Sequence, residues 1–225
     1  MKETQLSPNI RLLKAEVPRN DAMAVVAFGG IAQGLGMPAF EFFRTLERLG
    51  VDALFIRDPS QGWYQRAIEG FGDTTIAMAS HLERLLAEQF CGRRILAIGN
   101  SMGGWAAMLF GCLCELEAVI AISPQTFISP ALRRKHSDSR WAAQIDSIGG
   151  PAFDDLAPLM RRSTSPRTVI YVGENDPLDM AHAQHVADSP SLRLRTLDEC
   201  GHDAARNLRD RGMLRPLLQD IIAVS

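Results

Sequence analysis

Arg94-Ile95-Leu96-Ala97-Ile98-Gly99-Asn100-Ser101-Met102-Gly103-Gly104 is the stretch on which the reading of this chain turns. Its first part is a short apolar run without polar alternation, the pattern of a strand covered on both faces. The residues that follow, Gly104 to Cys114, are apolar at helical spacing. Between strand and helix stands a serine with glycine two positions before it and two after. A turn this tight needs small neighbours, because strand and helix approach closely, and it pushes the serine hydroxyl out beyond the sheet. The helix N-terminus then directs its free N–H groups toward developing negative charge. A serine that only caps the helix is the other reading of the same residues.

Outward from this stretch the alternation continues. Strands are expected at Ala24 to Phe28, Ala53 to Arg57, Arg94 to Gly99, Ala118 to Ser123, Thr168 to Gly173 and, more alternating, Leu192 to Leu197. Helical spacing is expected over Pro38 to Leu49, Thr74 to Phe90 with Asp73 as N-cap, Gly104 to Cys114, Met180 to Ala187 and Ala204 to Ile222. Ile10 to Val17 reads as an added edge strand. Strand–helix alternation of this kind predicts an α/β fold, a mostly parallel central sheet with helices on both faces. One stretch, about 124–166, departs from it with Pro, Ser and charge clusters, including the run Arg133 to Arg140, and a short helical piece near Trp141 to Ile145. It reads as an insertion after the fourth core strand, either a pocket wall or a solvated excursion. A single domain over 1–225 is the expectation.

Composition excludes several classes. The 225 residues are 46% hydrophobic and 22% charged, with a net charge of -2, an ordinary globular balance. A near-neutral chain lacks the basic face that holds nucleic acid. No apolar run reaches the length of a membrane span, and the first residues, MKETQLSPNI, carry no apolar core of a secretory signal. Cys91, Cys112, Cys114 and Cys200 have no CxxC spacing and read as reduced, mostly buried thiols of a cytoplasmic protein.

A serine hydroxyl is a weak nucleophile until a base takes its proton. Of the five histidines, His202 in Cys200-Gly201-His202-Asp203 follows the last strand, on a loop over the C-terminal edge of the sheet. His81 lies on a helix, His136 in the insertion, and His182 and His185, with Asp179, on one short helix, where they read as solvated polar residues rather than metal ligands. No metal is expected. The base needs an acid to orient it. Tyr171-Val172-Gly173-Glu174-Asn175-Asp176-Pro177 ends the fifth core strand, and Asp176, biased to an extended backbone by the proline, is the favoured acid; Asp179 and Glu174 compete with it.

The order Ser101, Asp176, His202, with GNSMGG, GENDPLD and CGHD each at a strand end, resembles the α/β-hydrolase superfamily over most of the chain. The resemblance implies an α/β-hydrolase fold and a serine hydrolase that cleaves a small-molecule carboxylic ester or thioester, or another acylated substrate, without a cofactor. It also implies an oxyanion hole built from the backbone N–H of Met102 and that of Gly30, or Ile31, in a loop where many relatives have His-Gly and this chain has Phe28-Gly29. An acyltransferase on the same triad, or a non-catalytic binding protein of this fold, are the alternatives. The glycines from Gly29 to Gly34 are not followed by Lys and Ser/Thr, so a phosphate loop is rejected. Trp63 and Tyr64 read as packing before pocket lining, and Gln125 and Thr126 as turn residues or polar substrate contacts.

Overall fold

The computed structural model describes residues 1–16, 23–31, 40–164 and 166–223. Its strands are β1 (Lys2–Ser7), β2 (Ile10–Lys14), β3 (Met23–Phe28), β4 (Ala53–Ile56), β5 (Arg94–Asn100), β6 (Ala118–Ile122), β7 (Arg167–Gly173) and β8 (Leu192–Leu197). They form one sheet in the order β1-β2-β4-β3-β5-β6-β7-β8. The six from β3 to β8 pair in parallel; β1 and β2 join antiparallel at the β4 edge. Every residue of β3, β4 and β6 is buried. That is the reason these runs lack polar alternation: both faces meet helices.

The faces separate cleanly on β3. Ala24, Val26 and Phe28 pack toward one core, with Met78 and Leu82 of α2 (Thr75–Gln89) and nearly all of α3 (Met102–Leu113). Met23, Val25 and Ala27 pack toward the other, with Leu46 of α1 (Phe43–Leu49), Leu208 of α8 (Ala204–Asp210) and Leu214 and Leu218 of α9 (Leu214–Ala223). Burying each such side chain contributes roughly 1.5–3 kcal/mol before the entropy of ordering is subtracted.

Chain order sets the site. From β3 the chain crosses to β4 on one side, then returns past β3 to β5 on the other. The winding therefore reverses between β3 and β5, the switch point at whose C-terminal ends open α/β sheets form their binding crevice. The Gly29-Gly30 loop and Ser101 stand at those two ends.

Several boundaries differ from the sequence expectation. The expected edge strand forms as β2, but β1 lies outside it, and most of its residues are exposed. The N-cap of α2 is Thr74, whose hydroxyl accepts from Ala77 N–H at 3.2 Å, and not Asp73. The long C-terminal helix is two, α8 and α9, separated by a turn in which Gly212 has φ 68°. Helix α3 begins at Met102, and α7 (Pro177–His185) begins three residues before its expected start. Val17 and the first residues of the Pro38 to Leu49 expectation lie outside the described residues. The insertion contains three short helices, α4 (Pro130–Lys135), α5 (Ala142–Asp146) and α6 (Ala157–Arg162). Among the described residues no helix is long and apolar enough to cross a membrane, and the four cysteines are free.

Candidate active site

Ser101 has φ 55° and ψ -119°, a backbone conformation that non-glycine residues rarely adopt. The surrounding packing enforces it. A Cβ on Gly99 would lie 1.9 Å from the Gly103 carbonyl oxygen, and one on Gly103 would lie 2.3 Å from that of Phe28. Hydrogen at both positions is what lets β5, α3 and β3 meet, and the turn between them is left no other path. Ser101 N–H donates to the Ile122 carbonyl at 2.8 Å, which ties the turn to β6. Met102 opens α3, where an N–H has no acceptor within the helix.

Ser101 is 5% exposed, and its hydroxyl lies against a residue of the insertion: Gln125 Nε2 donates to Ser101 Oγ at 3.1 Å. The sequence offered Gln125 as a turn residue or a substrate contact; its amide is buried on the predicted nucleophile. Trp63 and Tyr64 are fully buried and serve packing. Tyr64 Oη donates to the Gly29 carbonyl at 2.9 Å, and its ring meets Phe28 edge-on, so it holds the β3 loop from below.

Gly30 N–H, predicted as an oxyanion donor, donates to Glu41 Oε2 at 3.1 Å. Glu41 Oε1 accepts from Asn100 Nδ2 at 3.2 Å, so the carboxyl bridges the β3 loop and the residue before Ser101. Burial pushes the Glu41 carboxyl up from 4.5 to about 7, against the lowering effect of these two hydrogen bonds. Sequence reading missed Glu41, which carries no motif of its own. Ile31 is the next residue in this loop and is buried.

Across the crevice, the structure seats His202 on Asp179 and not on Asp176. His202 Nδ1 lies 2.9 and 2.8 Å from the two Asp179 carboxylate oxygens, leaving Nε2 on the far side of the ring. Asp176 is the N-cap of α7: its Oδ1 accepts from the Leu178 and Asp179 N–H groups at 3.0 and 2.9 Å. The favoured acid is thus spent on the helix start, and the competitor three residues on, fully buried, meets the imidazole. Glu174 accepts from Glu199 N–H at 3.4 Å, at the outer end of the turn. The His202 turn is seated on β7 by close approach: a Cβ on Gly173 would lie 2.3 Å from the Cys200 carbonyl oxygen and 2.4 Å from that of Gly201.

Asp179 carries a second partner. Arg140 Nη1 donates to its Oδ1 at 2.7 Å and stands 3.8 Å from Asp176. Burial alone would raise the Asp179 carboxyl; the hydrogen bonds from His202 and Arg140 outweigh it and hold it below the usual carboxylate range. Asp176, Asp179 and His202 have ligand-type atoms within 4.8 Å of one another, the one such group of three among the described residues, and the Arg140 guanidinium stands against its two carboxylates. His182 is not solvated, as its sequence context suggested. It is 1% exposed, with Nε2 against Asp138 Oδ2 at 3.0 Å and Nδ1 accepting from Thr126 N–H at 3.1 Å.

No protein-family model and no curated protein sequence matches the chain. Solved structures do. The chain is similar to the capsule O-acetyltransferase of Neisseria meningitidis serogroup A, at TM-score 0.68 and 14% identity, over 98% of this chain and 94% of that one. It is similar to MenH from S. aureus, at TM-score 0.64 and 14% identity, over 95% and 99% of the two chains. It is also similar to MGS-MChE2, an α/β hydrolase enzyme from a lagoon-sediment metagenome, at TM-score 0.61 and 18% identity, over 98% and 99%. Sheet order, strained serine turn and these likenesses agree, and the chain has the α/β-hydrolase fold.

Proposed function

We propose that this protein is a serine hydrolase that cleaves a carboxylic ester or thioester through an acyl-enzyme on Ser101. The observation that carries the reading is the backbone of Ser101, held at positive φ between two glycines that admit no side chain. Its ψ of -119° takes it outside the left-handed helical region that Phe42 and Trp141 occupy at similar φ, and backbone strain of this kind clusters at functional sites. His202 would take the hydroxyl proton through Nε2. Asp179, on Nδ1, would fix the tautomer and stabilise the imidazolium; we assign it this role in place of Asp176 on the 2.8 Å contact. The N–H of Met102 and that of the Gly30 loop would hold the oxyanion. Glu41 now accepts from Gly30, so an entering carbonyl would take that donor over from a carboxyl poised near neutrality to give it up. The imidazolium would then protonate the leaving group, and water would repeat the sequence on the acyl-enzyme.

Acyl transfer to an alcohol or amine is the second reading, supported by the likeness to an O-acetyltransferase. A fluorophosphonate probe tests the common core. Labelling of the wild type, absent in Ser101→Ala and reduced at least about a thousandfold in His202→Ala, is the expected result; a wild type that does not label overturns both enzymatic readings and leaves a binding protein. Competition between water and added acceptors for the acyl group then separates hydrolase from transferase.

A further inference from the structure

We propose that Arg140, brought in by the insertion, is a positioning residue for the Asp179–His202 pair, which makes the insertion a working part of the site. The inference rests on the serine-hydrolase reading above and adds a residue that no strand-end motif contains. Arg140 lies thirty-nine positions from Asp179 in the chain.

The guanidinium is itself fixed. Asp138 receives Arg140 Nε at 3.1 and 3.3 Å on its two oxygens and Nη2 at 3.0 Å, and its Oδ1 also accepts from Arg140 backbone N–H at 2.9 Å. With Nε and Nη2 on Asp138, Nη1 is the nitrogen left to reach Asp179. A planar fork held bidentately on Asp138 fixes the direction from which Nη1 meets Asp179. Arg133, 9% exposed, donates from Nη2 to the Arg140 carbonyl at 3.3 Å and props the loop from behind.

Asp138 is anchored in turn. His182 accepts from Thr126 N–H on Nδ1, so its proton is on Nε2 and points at Asp138. Thr126 Oγ1 donates to the His182 carbonyl at 2.7 Å. Thr126 follows Gln125, whose amide is on Ser101. His182 sits one turn beyond Asp179 on the same face of α7, and Asp179 holds His202. The contacts therefore form one chain: Ser101, Gln125, Thr126, His182, Asp138, Arg140, Asp179, His202. Nucleophile and base are referred to one buried frame, and Arg140 is the member that joins the insertion to the acid.

Charge assigns Arg140 a second effect. The charged groups about His202 are Asp179, which holds it, Asp176 from the start of α7, Arg140 from the insertion through Asp179, and, on the backbone of its own turn, Asp203, Glu174 and the Arg211–Glu199 pair. Arg140 is the cation bonded to Asp179, and a variant that removes it leaves that carboxylate without its guanidinium partner beside the imidazole.

The test compares wild type, Arg140→Gln and Arg140→Lys by fluorophosphonate labelling rate against pH, with a titration of the His202 ring by NMR. Arg140→Gln should slow labelling ~10–100-fold and raise the midpoint of the acidic limb, and of the NMR titration, by ~0.5–1 pH unit. Arg140→Lys keeps the charge but cannot span both carboxylates, so it should slow labelling ~10-fold or more with the limb near its wild-type position. A loss of folding alone would move the amount of active protein and not the limb. If Arg140→Gln does not fold, the lysine variant carries the test, and a wild-type rate there overturns the proposal. Wild-type rate and limb in Arg140→Gln overturn it as well. If the wild type itself does not label, the hydrolase reading has failed, and the His202 titration still decides: an unmoved midpoint in Arg140→Gln means that Arg140 does not act on the pair.

Discussion

The two sides of the crevice are held by different physics. On the nucleophile side, Ser101 is placed by backbone contacts: two glycines whose missing side chains let a strand, a helix and a neighbouring strand touch. The residues responsible lie within two positions of the serine. On the acid side, Asp179, Arg140, Asp138 and His182 are placed by charge and hydrogen bonds between segments that meet only after folding. Steric placement tolerates almost no substitution and does not titrate. Electrostatic placement tolerates some and depends on partners being present together.

The comparison breaks first at Gly99. An alanine there must push its Cβ into the Gly103 carbonyl, now 1.9 Å from that position, so Gly99→Ala should lose several kcal/mol of stability, roughly 4 or more, and all labelling. Thermal unfolding with probe labelling checks it, and a stable, reactive Gly99→Ala would show that the turn is not sterically set. The acid side gives a graded result. Asp179→Asn should slow labelling roughly a thousandfold or more while the protein stays folded, whereas Asp176→Ala should cost about 1 kcal/mol as a lost helix cap and leave labelling near wild type. The reverse pattern would restore Asp176 as the acid. The smallest effect sharpens the contrast from the nucleophile side, where Glu41 is the titrating group. Its carboxyl is raised to about 7 in the folded protein, so its contribution is fully present below about 4.5 and is lost as pH rises through 7. Glu41→Gln should remove that slope, on the order of 1–2 kcal/mol between pH 5 and 8 in urea midpoints.

What the sequence revealed follows the same division. The buried strands were legible because Val and Ile without alternation have one good explanation, and the serine turn because its determinants are adjacent. β1 was not: LysGluThrGlnLeuSer at Lys2–Ser7 is mostly exposed and carries no apolar signal for an outer antiparallel edge. Asp176 was preferred over Asp179 because it stands at the strand end, yet an aspartate directly before proline also has the pattern of N-cap and first helical residue, and that is the job it does. His182 looked solvated because its partners, Thr126 and Asp138, are fifty-six and forty-four positions away. Arg140 read as one more charge in a surface run for the same reason.

In the sequence, Gly173 stands directly before Glu174 and Asp176, as the opening of their turn. Its bare α-carbon instead forms the floor beneath the carbonyls of Cys200 and Gly201. A methyl group at 173 would act as a shim, lifting the turn that carries the imidazole. The strand that leads to Asp179 thereby sets the height of His202.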